Sequence, residues 1–228
     1  MADVNVTGSL LCTDGTVISL LDADMAEGTE ESLSTNTAYS VNASAIGDYA
    51  PGKVITHASI EADHNISYAF ILRQGLIACV LPVSVKGNSG AGPLPLCAPF
   101  QLQPGDLCKV MVVTAADRGQ ALCVYTNRGV YRIFIVDSAS GNVEPVDSQT
   151  GLSVGNTLQG QVIVKAFCTS GSAATTEKIS SGGCLMLDEK GMPVGVVPTS
   201  SPIVSPVFWS DCRIPCALNY EWRITSTS

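Results

Sequence analysis

The stretch LCKVMVVTAADRGQALCVYTNRGVYRIFIVD, residues 107–137, decides the fold class. Its three apolar runs are rich in Val, Ile, Tyr and Leu, and the triplets Asp117-Arg118-Gly119 and Asn127-Arg128-Gly129 separate them. Both triplets have the Asp/Asn-x-Gly chemistry of tight turns, where Gly supplies a positive φ at little cost. The spacing predicts a three-stranded antiparallel meander. Alternation is visible over Val130 to Phe134, yet both faces are apolar, as in a strand covered on two sides.

Working outward, the same signals recur. Gly8 to Leu21 reads as a hairpin around Thr13-Asp14-Gly15, and Val54 to Ile60 as a strand. ISYAFILRQ and LIACVLPVSVK flank a tight turn at Gln74-Gly75, and GCLMLDEKGMPVGVV folds back around Asp188 to Gly191. GQVIVKAFC is a further strand, and Ala217 to Ile224 closes the chain as an edge strand. A short helix or an acidic loop is expected in DADMAEGTEESLSTNT, residues 22–37, a polar loop over Ser138 to Asn156, and irregular chain over the Pro-punctuated Pro198 to Pro215. No sequence repeat is evident. Strands every 8 to 12 residues or so with Gly-bearing turns predict an all-β protein, an antiparallel β-sandwich or barrel in one domain or two β subdomains. The expected division is an N-terminal β region with an acidic loop (1–90), a Gly/Pro connector (91–104) and a C-terminal β region (105–228).

At 228 residues the chain can bury a sizeable core without disulfides or metal. Only 14% of its residues are charged and 46% are hydrophobic, with a mean hydropathy of +0.28; ordinary soluble domains carry about 25% charged residues. The longest apolar run, Leu76 to Val85, is broken by Pro82 and is far short of the ~18 residues that cross a bilayer, so no membrane partner is expected. Because interface cores are depleted in charge, a charge-poor surface points to coverage by copies of the chain or by another protein. Net charge is −8, with ten acidic residues and only Lys53 basic between Met1 and Asp63. The twelve basic residues are scattered, which argues against nucleic-acid binding, since phosphate contacts need clustered Lys and Arg. The nine cysteines cannot all pair within one chain. Most lie in strand-like runs, where a thiol acts as a small apolar side chain, and no basic-then-apolar leader opens the sequence, so synthesis in a reducing cytoplasm is expected.

Chemistry-bearing constellations are few. His57 and His64 are the only histidines, and His-x6-His is not a zinc spacing; Cys212 and Cys216 have no second ligand pair nearby. Asp22 and Asp24 pair carboxylates, but the spacing of a calcium loop fails after Asp24. No phosphate-binding Gly motif is present, so neither a metal nor a cofactor site is expected. Trp209 and Trp222, near Phe208 and Tyr220, supply an aromatic cluster of the kind used by carbohydrate-binding β modules or packed into a core.

Two resemblances follow. SSGGCLMLDEKGMPVGVV, residues 180–197, resembles the nucleophile region of chymotrypsin-like proteases, which implies Ser181 as nucleophile, His57 as base and Asp117 as orienting acid in the family's His, Asp, Ser order. The chain departs from that pattern in three places: Ile179 stands where the family has a Gly for the oxyanion hole, His57 directly follows Thr56, and Asp117 sits in a tight-turn triplet. The overall make-up, with segments such as QPGDLCKVMVV (103–113), GNTLQGQVIVKA (155–166) and KGMPVGVV (190–197), resembles virion structural proteins of the head-decoration or cement type found in tailed phages. That resemblance implies a non-enzymatic virion component, made in the host cytoplasm. Its partners would be copies of itself and a major capsid protein, and acidity with no basic arm places it on the outside of the shell.

Overall fold

The computed structural model describes residues 4–25, 30–35, 45–62, 66–83, 93–112, 120–136, 146–170, 183–198, 210–216 and 221–225. The fold is all-β, and the strands assemble into three antiparallel sheets. The chain forms two compact units, Met1–Ala115 and Ala116–Ser228.

The first unit holds β1 (Val4–Cys12), β2 (Val17–Met25), β3 (Glu30–Thr35), α1 (Ile46–Tyr49), β4 (Val54–Ala62), β5 (Ile66–Arg73), β6 (Leu76–Leu81), β7 (Leu94–Gln101) and β8 (Leu107–Val112). Its eight strands run β6-β5-β8-β3-β2-β1-β4-β7 in one sheet. The turn-based hairpins form as expected: β1 pairs β2 from Leu11↔Val17 outward, and β5 pairs β6 from Arg73↔Leu76. Tyr68 to Ile71 are buried consecutively, so both faces of β5 are covered, as the unbroken apolar run requires. Leu10, Ile18, Ile46, Ile55 and Ile60 anchor the core at 1% exposure or less.

The second unit holds β9 (Gln120–Thr126), β10 (Tyr131–Val136), β11 (Val146–Asp147), α2 (Val154–Thr157), β12 (Val162–Ser170), β13 (Gly183–Leu187), β14 (Pro193–Pro198), β15 (Ser210–Pro215) and β16 (Glu221–Thr225). A five-stranded sheet runs β11-β10-β9-β12-β15 and a three-stranded one β14-β13-β16. Ala121 to Val124 are buried without interruption, and Phe134, Val154 and Ile163 complete the core.

Several expectations differ from this arrangement. The meander over 107–137 does not form. β9 and β10 pair, but β8 pairs β5 and β3, and the division into units falls at Ala115/Ala116, inside the stretch. Apolar periodicity locates strands but carries no information on which neighbour each one pairs with. Of the segment 22–37, the described residues extend β2 and form β3 rather than a helix. Ser and Thr there are weak helix formers, and pairing with both β2 and β8 satisfies the backbone instead. The Gly/Pro stretch 91–104 contains β7, a strand of the first unit that pairs β4. The expected loop 138–156 contains β11 and α2, and the expected irregular stretch 198–215 contains β15.

Candidate contact surface

In each unit the hairpin turns and the short helix gather at one end. In the first, the Thr13 N–H donates to Val54 O (2.9 Å) at the start of β4, the Gly52 N–H to Leu102 O (2.9 Å), and the Gly47 N–H to Asp106 O (3.0 Å). Arg73, the last residue of β5, reaches the same place. Its Nε and Nη2 donate to the two carboxylate oxygens of Asp106 (2.8 and 2.7 Å), and Nη2 also donates to Gln101 O (2.7 Å). The guanidinium lies 4.7 Å from the Phe100 ring centroid, and the Asp106 carboxylate also accepts the Gln103 N–H (2.8 Å). Asp106 is fully buried, so this fork ties the β5–β6 turn, the turn after β7 and α1 into one piece. Partnership with Asp106 raises the Arg73 pKa.

Beside it, Lys53 Nζ bonds the Asp14 carboxylate and donates to Thr16 Oγ1 (3.1 Å). The Lys53 bond, then the Thr16 bonds, hold the Asp14 carboxyl well below the usual carboxylate range. The charges named at this end are therefore neutralised within the unit. The apolar side chains there are not covered. Six of the seven large apolar residues exposed among the described residues follow a hairpin-turn glycine by at most three positions (Val17, Leu76, Met192, Val194), lie in a helix (Tyr49) or precede a helix N-cap (Leu152), at 41% to 61% exposure. In the second unit the same end carries Thr126 Oγ1 donating to Gln161 Oε1 (2.9 Å) and Asn127 N–H donating to Val162 O (2.8 Å).

The residues expected from the protease resemblance are not brought together among the described residues. His57 lies on β4 opposite Leu11 and Pro95, with Nδ1 2.9 Å from Thr56 Oγ1, while Ser181 and Asp117 lie outside the described residues. His64 and Trp209 also lie outside them, and Trp222 sits in β16 opposite Met186. Among the described residues no cluster of His, Cys, Asp or Glu could hold a metal ion, and no helix is long and apolar enough to cross a membrane. Asp147 is buried in the second unit. Its Oδ1 accepts the Gln149 and Thr150 N–H groups (2.9 and 2.8 Å) and its Oδ2 faces Arg132 Nε at 3.8 Å, so it serves the turn into α2. Sequence reasoning missed the Arg73–Asp106 fork, because 33 residues separate the partners and neither belongs to a motif. No family model, curated protein or solved structure matches the chain.

Proposed function

We propose that this protein is a structural, assembly-forming virion component that decorates or cements the outside of a capsid shell, with its own copies and a major capsid protein as partners. The observation that carries the reading is the group of apolar side chains exposed at the turn end of each unit; in the first unit the Arg73–Asp106 and Lys53–Asp14 pairs also neutralise charges beside them. Such a surface loses little on desolvation and suits an uncharged protein neighbour better than phosphate or an acidic ligand. Charge-poor composition supports the same class.

The contact mode follows from the edges. Outer strands β7, β14 and β15 carry Pro95, Pro99, Pro193, Pro198 and Pro215, and proline removes the N–H groups that a neighbour's strand would pair with. On these three strands the hairpin tips, rather than the open edges, are then the contacts. Many weak tip contacts on a lattice multiply into stable attachment. Co-sedimentation tests this: purified protein mixed with capsid shells that lack it pellets in a fixed ratio to the shell subunit, and Leu76→Asp or Met192→Asp lowers that ratio. Protein that stays wholly in the supernatant at saturating shell concentration overturns the reading.

A further inference from the structure

We infer that the chain is a tandem duplication of one β unit, so that it carries the same contact end twice; the two-site consequence rests on the contact role proposed above, whereas the duplication does not. Strand order is the first observation. The run β3-β2-β1-β4-β7 in the first unit has the order of β11-β10-β9-β12-β15 in the second, and β6-β5-β8 has that of β14-β13-β16. Register agrees along most of these ladders, although at the shift opposite β4 and β12 four residues are passed over on β7 and two on β15. Leu11↔Val17 becomes Tyr125↔Tyr131, and Leu20↔Thr35 becomes Phe134↔Asp147. Leu72↔Leu107 becomes Leu187↔Glu221.

Irregularities recur at the same places, which shared sheet order alone does not require. On β4, Thr56 is the extra residue between Ile55 and His57 in its pairing with β1, and the β4–β7 register also shifts at that step. On β12, Val164 is the extra residue between Ile163 and Lys165 in its pairing with β9, and the β12–β15 register also shifts at that step. On β6 and β14, Ala78 and Val194 are the residues passed over. Turn and helix bonds recur too. Thr13 N–H to Val54 O matches Asn127 N–H to Val162 O, and Gly52 N–H to Leu102 O matches Gly160 N–H to Cys216 O. Leu102 N–H to Lys53 O matches Cys216 N–H to Gln161 O.

The sequence trace is confined to the helix and the strand after it. Residues 45–58, AIGDYAPGKVITHA, align without a gap to 153–166, SVGNTLQGQVIVKA, with five identities in fourteen positions: Gly47/Gly155, Gly52/Gly160, Val54/Val162, Ile55/Ile163 and Ala58/Ala166. Gly47 has a packing reason to be glycine, since a Cβ there would stand 1.8 Å from Gln103 O. Duplication assigns the same demand to Gly155, which is likewise buried.

The test uses the full chain with Gly47→Ala or Gly155→Ala and follows thiol labelling site by site under native conditions. Cys108 reports on the first unit and Cys123 on the second. Both are buried, and burial pushes the Cys108 thiol up to about 12, so labelling requires opening. Gly155→Ala is expected to speed Cys123 labelling about tenfold or more and leave Cys108 within about twofold, with Gly47→Ala doing the reverse. Should a glycine variant fail to express, Ile46→Ala and Val154→Ala, at fully buried matching positions, give the same readout. A silent Gly155→Ala, or one substitution that exposes both thiols, overturns the duplication. The assay contains no capsid, so its failure leaves the assembly role standing, and failure of co-sedimentation leaves the duplication standing.

Discussion

Asp106 and Arg73 carry more of the first unit than their number implies. The carboxylate is fully buried, forked by the guanidinium and bonded by the Gln103 N–H, while the Asp106 carbonyl accepts from Gly47 in α1. Removing one charge of a buried pair strands the other, a loss of about 3 kcal/mol or more. Asp106→Asn is therefore expected to lower unfolding stability by about that amount in a urea titration, with Arg73→Met similar; a change below about 0.5 kcal/mol would show the fork to be dispensable. The Asp14–Lys53 pair contrasts with it. Asp14's carboxyl is depressed in the folded chain, so whatever it contributes is present above the unfolded carboxylate pKa and fades as pH falls toward the folded one. Both groups are exposed, so that contribution is small. Neither pair is legible in the sequence, since ion pairing across strands depends on which strands meet.

At the scale of elements, hairpins were the most readable feature, because local turn chemistry determines them. The Thr-Asp-Gly, Asn-Arg-Gly and Glu-Lys-Gly triplets all form the same closing bonds: Cys12 N–H to Thr16 O, Thr126 N–H to Val130 O and Asp188 N–H to Met192 O, at 2.9 to 3.0 Å. Gly15 and Gly129 adopt φ of 81° and 71°, a conformation that costs other residues energy. Pairings beyond the hairpin were not readable: β8 returns to β5 and β3 over a long separation that leaves no local mark. The closing edge strand was read from the sequence and is β16, whereas the outer strand β7 was misread, since Pro95 and Pro99, which helped suggest a connector at 91–104, lie in it and protect it. That protection can be measured. Pro95→Thr with Pro99→Thr restores two N–H groups on the outer strand and is expected to cause concentration-dependent β aggregation, read by light scattering and a fibril dye. Unchanged solubility would show that β7 needs no such guard.

For the whole molecule, two units of one strand order explain why the chain can be rich in apolar residues yet poor in charge: each unit buries its own core and leaves an apolar end. All-β character was fully legible in the sequence; the division was not, because it falls between β8 and β9, where Asp117-Arg118-Gly119 reads as one more tight turn between paired strands. The repeat escaped notice because its identities are concentrated in fourteen positions and the offset between matched residues is 114 at the first hairpin but 108 at the helix. The most direct test of an assembly role mediated by the tips is the solution mass by light scattering over a concentration series, for the natural chain and for Val17→Asp with Leu76→Asp. The account predicts an oligomer for the natural chain and a 23.7 kDa monomer for the variant. A natural chain that stays monomeric throughout, or an oligomer indifferent to the tip substitutions, would contradict it.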